Sequence, residues 1–156
     1  MSVDKVKVFD KATNAKILAM VENIDESRWF HISKLQKGRG VVNDTDAYYF
    51  KCKDWSIPKE LKELLFSLAP KFEPFETSEI VINRYLPGGF IPAHTDKDRY
   101  LKNVIVPLQS GDDGITIEDT FYKDEAGIGI VFNGTGPVHE VKKVKDFRYT
   151  VIFLIG

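Results

Sequence analysis

Residues 79–98 read EIVINRYLPGGFIPAHTDKD, and the fold is decided there. A strand through EIVINRYL puts Asn83 and Tyr85 on one face, because side chains alternate along extended backbone. Pro87, Gly88 and Gly89 end that strand in a turn. A second short strand, IPAH, follows. His94 and Asp96 stand two apart, so they project together while Thr95 faces away.

Downstream, the same texture repeats. NVIVPLQ, GITIED, GIGIVF, HEVKKV and RYTVIFLI are short apolar runs, separated by SGDDG, DEAG and NGTGP. Short strands at this spacing read as a β-sandwich or barrel, here a jelly-roll-like pair of sheets. Upstream the character is mixed. Leu61, Leu64, Leu65 and Leu68 fall on one face of a helix that starts near Ser56 and Pro58 and stops at Pro70. KVKVF and ILAMV flank DKATNA as a hairpin would, with a helix through Ala15 to Glu22 as the rival. ESRWFHISKL and DAYYFKCKDW are aromatic-rich strands or loops. The expectation is one α+β, mainly β domain over residues 1–156. An N-terminal, helix-containing support (1–74), with room for a substrate lid, carries a double-stranded β-helix, or jelly-roll and cupin-like, core (75–156).

Composition narrows the class. The chain has 156 residues, 43% hydrophobic and 29% charged, the profile of one globular domain. No run approaches the ~20 apolar residues of a membrane helix, and the first residues lack the apolar core of a secretory signal. Cys52 is the single cysteine, so no internal disulfide forms and a reducing, cytoplasmic setting fits. A net charge of −1 exerts no global pull on nucleic acid or anionic membrane. The lysines of KKVK, 142–145, are the one local basic run, of a kind that is usually a solvated face.

The chemistry-bearing residues converge. His139 opens a strand after the tight NGTGPV turn, and in a jelly roll it can meet His94 and Asp96 in the mouth of the barrel. Two imidazoles and one carboxylate form the facial triad of non-haem Fe(II) oxygenases, which leaves positions open for a bidentate cosubstrate and O2. Zinc also accepts that ligand set. A His-x-Asp pair alone is weak, since a surface hydrogen bond explains it equally well. Arg148 opens the last strand and shares a face with Thr150. A guanidinium rising from an apolar strand requires an anionic partner, and its planar fork suits a carboxylate. An ordinary salt bridge to Asp146 or a glutamate is the structural alternative. Asn83 and Tyr85 offer amide and phenol groups to the same kind of ligand. His31 has no assigned role.

INRYLPGGFIPAHTDKD, with FNGTGPVHEV and RYTVIFL downstream, resembles the AlkB-type Fe(II)/2-oxoglutarate dioxygenases. That family carries an Asn-x-Tyr strand, a Pro-Gly turn, His-x-Asp, a distal His and an arginine-bearing terminal strand. The likeness spans the later part of the chain, from about Trp55. It implies that His94, Asp96 and His139 ligate iron, and that Arg148, helped by Tyr85, grips the distal carboxylate of 2-oxoglutarate, with the Thr150 hydroxyl a further cosubstrate candidate on the same face. Asn83 would approach the other carboxylate and Asp98 the target base, while Tyr48, Tyr49 and Trp55 are candidates to stack on that base. The implied reaction is hydroxylation of a C–H bond, with oxidative demethylation of an N-alkylated nucleobase in DNA or RNA as the substrate reading. Two departures stand out. Leu154 occupies the place where the family often has a second arginine, and the short N-terminal half implies a reduced nucleotide-recognition lid. The alternatives are hydroxylation of a prolyl, aspartyl or lysyl side chain or of a small molecule, and a cupin-like metal-binding module without turnover.

Overall fold

The computed structural model describes residues 3–33 and 48–156, with the backbone alone at 97–99. In chain order the elements are β1 (Asp4–Lys7), α1 (Lys11–Glu22), β2 (Phe30–His31), β3 (Phe50–Cys52), α2 (Lys59–Ser67) and β4 (Thr77–Tyr85). There follow β5 (Ile91–His94), β6 (Lys97–Pro107), β7 (Gly114–Ile117), β8 (Thr120–Lys123), β9 (Ile128–Thr135), β10 (His139–Val141) and β11 (Arg148–Ile155). The strands form a seven-stranded sheet, β1-β9-β6-β11-β4-β3-β2, and a four-stranded sheet, β5-β10-β7-β8. Every pairing is antiparallel. The two sheets face each other as a jelly roll. Among the described residues, no helix is long and apolar enough to cross a membrane.

The large sheet has two different faces. Ile80 and Ile82 of β4, Val104 and Val106 of β6, and Val151 and Phe153 of β11 pack outward against Ile17, Val21, Leu61 and Leu65 of the helices. The intervening residues point the other way, where Tyr85, Ile130 and Phe132 meet Ile91, Ile115, Ile117 and Val141 from the small sheet. Period-2 alternation thus feeds two cores, one under the helices and one between the sheets.

Two elements depart from the leading sequence expectation. ILAMV belongs to α1, as the rival helix through Ala15 to Glu22 had it, and not to a hairpin. The Asp10 carboxylate caps that helix by accepting from Thr13 N at 2.8 Å, and Ile17 and Val21, four apart, bury on one face. Buried Asn14 ties the helix to the sheet, its Nδ2 donating to the Leu108 carbonyl at 2.9 Å. The second departure is β8, which pairs with β7 through a two-residue turn at Glu118 and Asp119, with φ of 48° and 69°. Both residues sit in the left-handed region that glycine or asparagine usually fills in such a turn.

The Pro-Gly-Gly turn is pinned from outside. Gly88 N donates to the Val144 carbonyl at 2.8 Å, and Val144 N donates to the Gly89 carbonyl at 2.9 Å. Gly88 takes φ of 87°, which a side chain would resist. Val144, inside the KKVK run, is therefore core, while Lys142, Lys143 and Lys145 are exposed. The first half of the chain is woven into the large sheet through β1, β2 and β3.

Phe153 is fully buried beside Phe9, ring centroids 6.2 Å apart. Phe153→Ala should cost about 3–5 kcal/mol in urea unfolding. Burial also pushes the Cys52 thiol up to about 11, so it should resist iodoacetamide at pH 8 in the folded protein and react only once the chain is unfolded.

Candidate metal centre

His94 ends β5 and His139 begins β10, and antiparallel pairing sets these two residues directly opposite each other. Their rings lie 4.2 Å apart between centroids. Asp96, two residues beyond His94, reaches both. Its Oδ1 is 3.4 Å from His94 Nε2 and its Oδ2 is 3.3 Å from His139 Nε2. One ligand atom from each residue falls within 4.8 Å of the others.

The far nitrogens of both rings are committed in the same way. His94 Nδ1–H donates to the Pro92 carbonyl at 2.9 Å, and His139 Nδ1–H donates to the Pro137 carbonyl at 3.0 Å. A carbonyl can only accept, so each Nδ1 carries a proton and each Nε2 faces Asp96. Asp96 stands 3.3–3.4 Å from both Nε2 atoms, near enough to share a proton or a cation with each. Carbonyl-tethered imidazoles are the arrangement that orients histidine toward a metal, and two imidazoles with one carboxylate fit Fe(II).

The surroundings reinforce the carboxylate. Burial acts to raise Asp96, but hydrogen bonds with His139 and His94 outweigh it and hold the carboxyl well below its usual range. Asn103, a buried residue of β6, donates from Nδ2 to Asp96 Oδ2 at 3.4 Å. The Phe132 ring lies 5.2 Å from that of His139 and closes the inner side. Sequence reading missed Asn103, whose only signal was its inward phase, two positions before Ile105.

Arg148, Tyr85, Asn83 and Thr150 share the inner face of the large sheet. Arg148 pairs with Tyr85 and Thr150 with Asn83 across β11 and β4. The guanidinium carbon sits 5.0 Å from the Tyr85 ring centroid. Asn83 Oδ1 and Thr150 Oγ1 are buried without a hydrogen-bond partner, a rare state for native polar atoms and one that a bound polar ligand relieves. The anionic partner of Arg148 is Asp124, neither Asp146 nor a glutamate. Nε donates to Asp124 Oδ2 at 2.7 Å and Nη2 to Oδ1 at 2.9 Å. Burial alone would lower the guanidinium, yet the Asp124 bonds outweigh it and keep it charged.

The aromatic candidates separate. Tyr49 is buried, stacked on Tyr85 at 5.5 Å. Tyr48 is partly exposed beside His31, and Trp55 is exposed beside Phe30. His31 Nδ1 lies 2.8 Å from Ser33 Oγ. The side chain of Asp98 lies outside the described residues.

No family model matches the chain, and no curated protein matches it. Solved structures do. A 2OG-Fe(II) oxygenase family oxidoreductase from Burkholderia pseudomallei is similar at a TM-score of 0.70 and 16% identity, over 99% of this chain and 85% of its own. A Pseudomonas putida prolyl-4-hydroxylase is similar at 0.64 and 18%, over 97% and 91%. The protein OsALKBH1 is similar at 0.61 and 14%, over 97% of each chain. At these identities the likeness, over 97–99% of the chain, establishes the fold.

His94→Ala, Asp96→Ala and His139→Ala should each abolish measurable Mn(II) or Fe(II) binding in calorimetry. Asn103→Ala should cost only the roughly 10–100-fold expected when a supporting hydrogen bond is lost.

Proposed function

We propose that the chain is an Fe(II)- and 2-oxoglutarate-dependent dioxygenase that hydroxylates a C–H bond. The observation that carries this is the convergence of two carbonyl-tethered imidazoles and Asp96 on one point, in the barrel whose inner face also bears Arg148. Bound there, Fe(II) with O2 and 2-oxoglutarate would supply oxidising power, one oxygen atom going to succinate, with loss of CO2, and the other to the substrate.

The protein's part is placement. His94, Asp96 and His139 would hold the metal on one side and leave the other side to ligands. Arg148 would anchor the distal carboxylate, with Thr150 and Tyr85 as hydroxyl donors and Asn83 within the same row. Buried Tyr85, whose phenol is raised by desolvation, stays protonated and able to donate. Phe132 and Ile117 shield the site from water on the inner side. Residues 1–156 act as one catalytic domain, with 75–156 as its core and 1–74 as support.

The substrate is proposed to be an N-alkylated nucleobase, whose hydroxylated methyl group would leave as formaldehyde. Exposed Tyr48 and Trp55, close to Phe30, His31 and Phe50, supply ring faces for stacking. Likeness to a prolyl-4-hydroxylase supports a second reading, hydroxylation of a prolyl side chain.

Protein loaded anaerobically with Fe(II) and 2-oxoglutarate should release succinate when air is admitted. Arg148→Ala should weaken 2-oxoglutarate binding roughly 10–100-fold, the worth of a charge-assisted hydrogen bond. Formaldehyde from methylated oligonucleotides would support the nucleobase, and hydroxyproline from a proline peptide the second reading. Metal binding without 2-oxoglutarate affinity or succinate would reduce the protein to a metal-binding module.

A further inference from the structure

Arg148 is buried to 4% exposure and Asp124 to 7%. Asp124 follows β8 directly, and its backbone is fastened to the turn before β7. Its N–H donates to the Asp113 carbonyl at 2.9 Å and its carbonyl accepts from Gly111 N at 3.4 Å. Asp113 is itself held, accepting from Lys145 N at 3.1 and 3.2 Å. The carboxylate thus reaches Arg148 from a rigid base, on a segment that carries none of the candidate metal ligands.

A guanidinium has five N–H donors in one plane, arranged as a fork with two usable edges. Asp124 takes the edge formed by Nε and Nη2. The donors left over, two on Nη1 and one on Nη2, belong to the other edge. Beside them on the same face stands Thr150 Oγ1, a hydroxyl able to donate, buried and without a hydrogen-bond partner. An ion pair closed on itself would need no such neighbour. A bare hydroxyl next to a half-used fork marks the place of a further acceptor group.

We propose that Asp124 is a positioning residue for cosubstrate selection. It locks one edge of the Arg148 fork, so that the other edge and the Thr150 hydroxyl receive the distal carboxylate of a 2-oxo dicarboxylic acid. This rests on the dioxygenase reading above. Asp124 does not touch the cosubstrate; it acts through Arg148.

The test compares two ligands on the Mn(II)-loaded protein by calorimetry. 2-Oxoglutarate and 2-oxopentanoate have the same five-carbon chain, and only the first has a distal carboxylate. Asp124→Asn keeps the shape and removes the charge. The affinity ratio between the two ligands should fall about tenfold, the worth of one well-placed hydrogen bond, with 2-oxopentanoate binding unchanged. An unchanged or larger ratio, or equal weakening of both ligands, would overturn the proposal and leave Asp124 a structural partner. If Asp124→Asn does not fold, Arg148→Gln/Asp124→Asn, which leaves no buried unmatched charge, is compared with Arg148→Gln, in which burial favours a protonated Asp124. These two should show the same ratio, because Asp124 has nothing left to act through, and a further fall in the double variant would overturn the proposal. A wild-type protein that binds both ligands equally, or neither, would sink the dioxygenase reading itself. Wild-type selectivity that survives Asp124→Asn would sink the present proposal alone.

Discussion

The site depends on the antiparallel pairing of two very short strands, β5 and β10, which brings His94 face to face with His139. A one-residue slip in that ladder would turn one imidazole to the opposite side of the sheet. Three constraints outside the pair prevent it. Each histidine is tethered to the carbonyl of a proline two residues earlier. β10 is held on its other edge by β7. The Pro-Gly-Gly turn that launches β5 is bonded to Val144, just beyond β10. Sequence, register and imidazole tautomer are thus parts of one device, and the meeting of the two imidazoles at Asp96 is built into the backbone.

Around that device the large sheet divides its work by face. Outward positions of β4, β6 and β11 are apolar and bury the helices. Inward positions carry Asn83, Tyr85, Asn103, Arg148 and Thr150, all buried. Polar groups at that depth are costly unless bonded. Asn103 and Arg148 find partners in Asp96 and Asp124. Stability supplied by the helix-side core lets the other face keep groups that would weaken a simpler sandwich. Asn83 Oδ1, Asn103 Oδ1 and Thr150 Oγ1, left without partners, are where that cost is carried.

Much of this was legible in the sequence because it is periodic or local. Alternation in EIVINRYL and RYTVIFLI, the leucine spacing of α2, and His94 two residues from Asp96 all follow from the geometry of single elements. What was hidden depends on partners far along the chain. Arg148 required an anion, but Asp124 reaches it only because the turn before β7 holds the end of β8 in place. β8 itself was obscured because Glu118 and Asp119, rather than glycine or asparagine, adopt the left-handed turn. ILAMV looked like a strand because its β-branched residues were weighed without the Asp10 cap or the buried face they share in α1.

Leu154 is the clearest departure from the AlkB-type pattern, and its neighbours show what the departure does. It pairs with Asn103 on one side and Glu79 on the other, and Asn103 is the residue that donates to Asp96. Leu154 therefore marks the metal end of β11, and Arg148, six positions earlier, marks the far end. The inward row runs from a guanidinium through Thr150 to Ile152 and Leu154, so the strand grades from charged to apolar toward the metal. Glu79 brings no net charge to that end, since it is matched by Lys53 at 3.4 Å and accepts from the Tyr100 hydroxyl at 2.7 Å. A second arginine at 154 would put a cation at both ends of that row. With leucine there, Arg148 is the single cation of the inward row of β11.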